Sequence, residues 1–137
     1  MKLFRWVLCL AAFAIACVGC RSGDPARENA SSSRAVRTPL PKDATVVLVA
    51  NMAEADDRCG CGDIIRSVRD AKARGVATKE IDTRTGKTEA TTYRVLVVPT
   101  VVFLDGAGAE IRRYEGESSD TIKELQSDLE AAAAARK

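Results

Sequence analysis

The sequence predicts an α/β domain with a mixed central sheet and elements in the order β-α-β-α-β-β-α. Three observations carry this reading. Thr45 to Ala50 (TVVLVA) is a continuous, mostly β-branched run, the composition of a strand buried on both faces. Ile64, Ile65, Val68 and Ala71 recur at the spacing of one helix face. Val95 to Asp105 (VLVVPTVVFLD) is the most apolar stretch of the mature chain and runs into the turn sequence Asp105-Gly106-Ala107-Gly108.

The elements follow in chain order. After the first strand comes a polar loop, Glu54 to Arg58, and then the helix carrying Ile64 to Ala71, which Gly75 stops. Val76 to Asp82 reads as a second, more polar strand, and Thr83 to Tyr93 as a polar stretch with a short helix. Thr100 to Leu104 and a strand around Glu110 to Tyr114 form a hairpin. Ser118, Ser119 and Asp120 offer caps for a last helix with Ile122, Leu125 and Leu129 facing inward. The first strands are expected to be parallel through helical crossovers and the last pair antiparallel.

Composition removes several function classes. The 137 residues contain no histidine, which excludes Ser-His-Asp and Cys-His catalysis and His-ligated zinc or haem. Aromatics are 4%, too few for a stacking platform for single-stranded nucleic acid. The formal net charge of +2 does not describe a nucleic-acid-binding surface.

The N-terminus reads as an export signal. Lys2 and Arg5 precede an apolar run, Trp6 to Gly19, of about 14 residues, where a membrane span needs roughly 20. Val18-Gly19-Cys20 resembles the lipobox of bacterial lipoproteins, with Cys17 where leucine is usual. Ala14-Ile15-Ala16-Cys17 is a second, weaker candidate. The resemblance implies that residues 1–20 are a signal peptide and lipobox, and that Cys20 is lipidated and tethers an exported protein to a membrane of the cell envelope, with plain secretion or an uncleaved anchor as the alternatives. Residues 21–41, with Ser31-Ser32-Ser33 and Pro25, Pro39 and Pro41, read as a flexible linker, and residues 42–137 as one domain. Without the signal, the remainder is formally neutral.

Two cysteines stay in the domain, in Arg58-Cys59-Gly60-Cys61-Gly62, where the first strand gives way to the first helix. A helix N-terminus offers unpaired N–H groups and a positive dipole end, which stabilise a thiolate, the form that attacks disulfides. Arg58 acts in the same sense, while Asp56, Asp57 and Asp63 oppose it. Outside the cytosol, two such thiols are expected to oxidise or to exchange. A Cys59–Cys61 disulfide closes a small, strained and easily reduced ring, for which Gly60 and Gly62 supply backbone freedom. As a structural staple it constrains the unfolded chain little. Pro99 is the domain's only proline and interrupts an apolar run. A cis Val98–Pro99 bond at the start of the Thr100 strand accommodates it.

Taken together, the cysteine motif after the first core strand, Val98-Pro99-Thr100, and the hairpin followed by Gly116 and a terminal helix resemble the thioredoxin family over about Asp43 to Leu129. The resemblance implies a thioredoxin-like three-layer sandwich. It casts Cys59 as the attacking cysteine and Val98, Pro99 and Thr100 as a substrate-binding loop. The chain departs from the family's Trp-Cys-x-x-Cys in having Cys-x-Cys preceded by Arg58. Gly62 stands where the second cysteine would be. The loop before the motif is about two residues longer, and the carboxylate that usually assists the second thiol has no counterpart near Ala50.

Three functions compete. The leading one is a membrane-tethered thiol–disulfide oxidoreductase acting on protein disulfide or dithiol substrates. It uses Cys59 to attack, Cys61 to resolve and a redox partner to reset the pair. The others are an adaptor whose cysteines are not turned over, and a Cu(I)-binding module using the two thiolates. No organic cofactor and no nucleic-acid partner is implied. With no histidine, and Met52 the only nearby methionine, a complete zinc site within the chain is not expected.

Overall fold

The computed structural model describes residues 38–136. The expected signal peptide, the lipidation at Cys20 and most of the linker lie outside them. The elements are β1 (Thr45–Ala50), a 3-10 turn (Met52–Asp56), α1 (Gly60–Ala73), β2 (Ala77–Asp82), α2 (Lys87–Thr92), β3 (Thr100–Leu104), β4 (Glu110–Glu115) and α3 (Ser119–Ala134). The sheet order is β2-β1-β3-β4, with β1 and β2 parallel, β1 and β3 antiparallel, and β3 and β4 antiparallel.

Local chemistry sets the boundaries. Gly75, at φ 93°, terminates α1 in a conformation that costs glycine little. Ser118 caps α3, its hydroxyl accepting from the Thr121 N–H at 3.1 Å. In the β3–β4 turn, Asp105 Oδ1 accepts from the N–H groups of Ala107 (2.9 Å) and Ala109 (2.8 Å).

The sheet separates two apolar layers. Val46, Leu48, Ala50, Val101 and Phe103 face α1 and α3, where Ile64, Ile65, Val68, Ala71, Leu125 and Leu129 close the main core. Val47, Val49, Ile81 and Val102 face the other way, against Ala90, Tyr93 and Val95. Strands therefore alternate between two covered faces, which is why β1 reads as an unbroken apolar run. The fold is the expected thioredoxin-like three-layer sandwich.

One expectation about direction needs correction. β1 and β2 are parallel through α1, but β3 runs antiparallel to β1. α2 is only six residues long and does not carry the chain back along the sheet. The chain instead passes from the end of β2 across the same end of the sheet. There Thr83 N–H bonds Ala50 O at 3.0 Å, and the chain enters β3 with Thr100 opposite Val49. This return brings the proline segment to the end of the sheet from which α1 starts.

Arg112 and Arg113 lie on edge strand β4, where charge discourages pairing with another sheet. They also tie the layers together. Arg112 and Tyr114 both donate to the buried Asp128 of α3, and Arg113 reaches Tyr93 O at 2.8 Å. Among the described residues, no helix is long and apolar enough to cross a membrane.

Candidate functional site

Cys59 is the N-cap of α1. Its backbone is extended (φ −119°, ψ 169°) and its Sγ accepts from the Gly62 N–H at 3.5 Å. The sulfur thus stands in the place where serine or aspartate would normally cap a helix. Cys61 sits within the first turn. Both are half-buried free thiols, and the expected Cys59–Cys61 disulfide is not formed in this structure. The two sulfurs and a carboxylate oxygen of Glu54 lie within 4.8 Å of one another.

Glycine at 60 and 62 is a matter of space. A Cβ on Gly62 would stand 2.2 Å from Asp57 O and 2.9 Å from Glu54 O. One on Gly60 would stand 2.6 Å from Glu117 Cβ. The chain passes so close to two neighbouring loops that no side chain fits at either position.

Two carboxylates converge on Cys61. Glu54 is part of the 3-10 turn, held there by Asn51 Nδ2, which donates to its Oε1 at 2.7 Å. Glu117, between β4 and α3, accepts from the Cys61 N–H through Oε2 at 2.9 Å. Burial, then hydrogen bonds to Glu54 and Glu117, pushes the Cys61 thiol up from 9.0 to about 12. Cys61 therefore stays protonated at neutral pH, with acceptors for its proton beside it. The place near Ala50 holds no carboxylate, as the sequence implies. The support comes from the loops at 54 and 117 instead of from the first strand.

Arg66 braces the loop before the motif. Its guanidinium donates to Ala55 O (2.7 Å) and Asp57 O (3.1 Å) and pairs with Asp63 (2.6 Å). The residues before the motif are thus built into a 3-10 turn that presents Glu54.

The Val98–Pro99 bond is cis. The proline segment meets the cysteine turn through residues 116 and 117. Gly116 N–H bonds Pro99 O at 2.9 Å, and Glu117 lies against Gly60 and Cys61. Of the expected loop residues, Val98 is exposed, whereas Pro99 and Thr100 are buried. The Thr100 hydroxyl turns back to Val97 O at 2.5 Å. Leu96 (90% exposed) and Val97 join Val98 in an outward apolar edge at the start of this most apolar stretch.

Sequence reasoning missed Glu54 and Glu117. Glu54 opened a segment read only as a polar loop, and Glu117 lies 56 residues from Cys61. No local pattern links either residue to the motif, so no signal in the chain could have found them.

No protein-family model and no curated protein matches the sequence. Among solved structures, the chain is similar to thioredoxin from Fasciola hepatica. That match has 25% identity and TM-score 0.48, covering 63% of this chain and 80% of that one. Thioredoxin 1 from Thermosipho africanus is 23% identical, with TM-score 0.49, over 63% of this chain and 90% of that one. Oxidised mitochondrial thioredoxin 3 from Saccharomyces cerevisiae is 18% identical, with TM-score 0.46, over 63% and 78%.

Proposed function

We propose that the protein is a thiol–disulfide oxidoreductase, exported and held at a membrane through a lipidated Cys20, that exchanges disulfides with protein substrates through Cys59 and Cys61. One observation carries this reading. Two free thiols stand at the start of a helix, and their environments differ: Cys59 caps the helix, while burial and the carboxylates of Glu54 and Glu117 hold Cys61 protonated.

The chemistry follows from that difference. Cys59 Sγ, as thiolate, attacks one sulfur of a substrate disulfide. A mixed disulfide forms and the substrate's other sulfur leaves as thiolate. Cys61 then gives its proton to Glu54 or Glu117 and attacks Cys59 Sγ. The Cys59–Cys61 bond forms and the substrate's remaining sulfur departs, so the substrate gains two electrons and the pair loses two. A redox partner dithiol resets the bond. Run backwards, the same steps oxidise a dithiol substrate. The exposed edge at Val98, backed by Pro99 and Thr100, offers an extended chain a place on the segment that meets the cysteine turn through Gly116 and Glu117.

Export and tethering rest on Lys2, Arg5, the apolar run and Val18-Gly19-Cys20. Trapping tests the whole reading in the intact chain. With Cys61→Ala, mixed disulfides accumulate through Cys59, and Cys59→Ser abolishes them. Cys20→Ala moves the protein out of the membrane fraction. Capture of no partner, together with failure to reduce or oxidise a model disulfide, would establish the adaptor instead. Unchanged membrane association of Cys20→Ala would remove the lipid tether.

A further inference from the structure

We propose that the reduced Cys59-Gly60-Cys61 turn is a binding site for a divalent metal ion of the zinc class, with Glu54, Cys59 and Cys61 as its protein ligands. The site stands apart from the exchange reading, since it would hold an ion whether or not the sulfurs turn over. The three donor atoms already lie within 4.8 Å of one another. In a tetrahedral zinc centre, with bonds of about 2.0–2.3 Å, ligand atoms stand roughly 3.5–4 Å apart. The donors thus stand at most about 1 Å further apart than a bound metal would hold them.

The donor set selects the class of metal. Two thiolates alone would suit Cu(I), but a carboxylate oxygen is a hard donor and gives a soft monovalent ion little. Two sulfurs with one oxygen match a borderline divalent ion, leaving a fourth position for water. The absence of histidine, which argued against zinc in the sequence, is offset by a carboxylate that only the fold delivers.

Charge points the same way. Among the described residues, neither Glu54 nor Glu117 forms a salt bridge. Arg66 of α1, whose guanidinium lies against Gly62, is committed to Ala55 O, Asp57 O and Asp63. Two sulfurs and two carboxylates thus gather where a cation would neutralise them. Glu117 acts from outside the ligand set: it holds the Cys61 N–H and lies against Gly60, fixing the turn. Loading is not a redox step. Two metal–sulfur bonds and one metal–oxygen bond form, and the two thiol protons pass to solvent. Metal and disulfide exclude each other because they use the same sulfurs.

The test is anaerobic titration of the reduced full chain with Zn2+ against a chromophoric chelator, with Co2+ as a spectroscopic probe. The Cys59→Ser/Cys61→Ser chain sets the background from Cys9, Cys17 and Cys20. One Zn2+ above that background is expected, with a thiolate-to-Co2+ charge-transfer band that oxidation abolishes. Glu54→Gln weakens binding at least about tenfold, and Glu117→Gln weakens it less. Binding no stronger than background, binding that survives oxidation, or Glu54→Gln binding as tightly as the native chain would each overturn the proposal. The Cys61→Ala trapping assay reads exchange independently, so failure of one claim is distinguishable from failure of the other.

Discussion

The first turn of α1 and the rest of that helix make an instructive pair. Residues 60–63 are two glycines, a cysteine and an aspartate, poor choices for a helix interior. Their contacts are polar and lead to loops, namely Glu54, Asp57 and Glu117. Beyond them, Ile64, Ile65, Val68 and Ala71 are buried against the sheet and α3. The helix is anchored by its later turns, because tertiary packing of an apolar face supplies most helical stability. Its start is then free to carry chemistry. Anchor and site are separable, and this can be tested.

The largest effect is expected in the anchor. Ile65 is fully buried, and Ile65→Ala should destabilise the domain by about 2–5 kcal/mol, read from urea denaturation. Exchange activity per folded molecule should be unchanged. Loss of activity in the folded fraction would mean that the two parts of the helix are not separable.

A smaller stability effect, with the opposite functional consequence, is expected at Gly62. The added methyl of Gly62→Ala meets backbone oxygens of Asp57 and Glu54, so the 3-10 turn must move. The cost should be about 1–3 kcal/mol. Because the shift carries Glu54 away from Cys61, alkylation of Cys61 at neutral pH should accelerate. A stable variant with native Cys61 reactivity would show that the turn does not control the thiol.

The smallest effect is a pH dependence. Cys61 ionises at about 12 in the folded chain, against 9.0 for an unshifted thiol, so ionisation favours the unfolded state. This contribution to stability is fully present below pH 9 and is lost as pH rises toward 12. The urea midpoint of the reduced protein should therefore fall more between pH 8 and pH 10.5 than that of Cys61→Ser. Equal falls would show that burial and the carboxylates do not hold the thiol protonated.

Much of this was legible in the chain. β1 and β3 are recognisable because a strand covered on both faces has no polar positions to interrupt its apolar run, and α1 because Ile64 to Ala71 keep helical spacing. The cysteine turn and the cis Val98–Pro99 bond could also be read, since glycine, cysteine and proline impose local backbone demands. Less legible was how far Leu96 and Val97 stand open to solvent, since their apolar composition does not reveal it. Apolar composition tells what a segment could bury, while the neighbouring elements decide whether anything covers it. The direction of β3 was likewise hidden, because it depends on where α2 releases the chain.

The sequence by itself determined that two thiols open a helix after a buried strand and that a proline precedes a later strand, because these are consequences of neighbouring residues. Only the tertiary structure decided what surrounds the thiols. Glu54 arrives on a turn braced by Arg66, and Glu117 arrives from the far side of a hairpin. Electrostatic interaction depends on distance through space, and two side chains 56 positions apart become neighbours only once the sheet has formed.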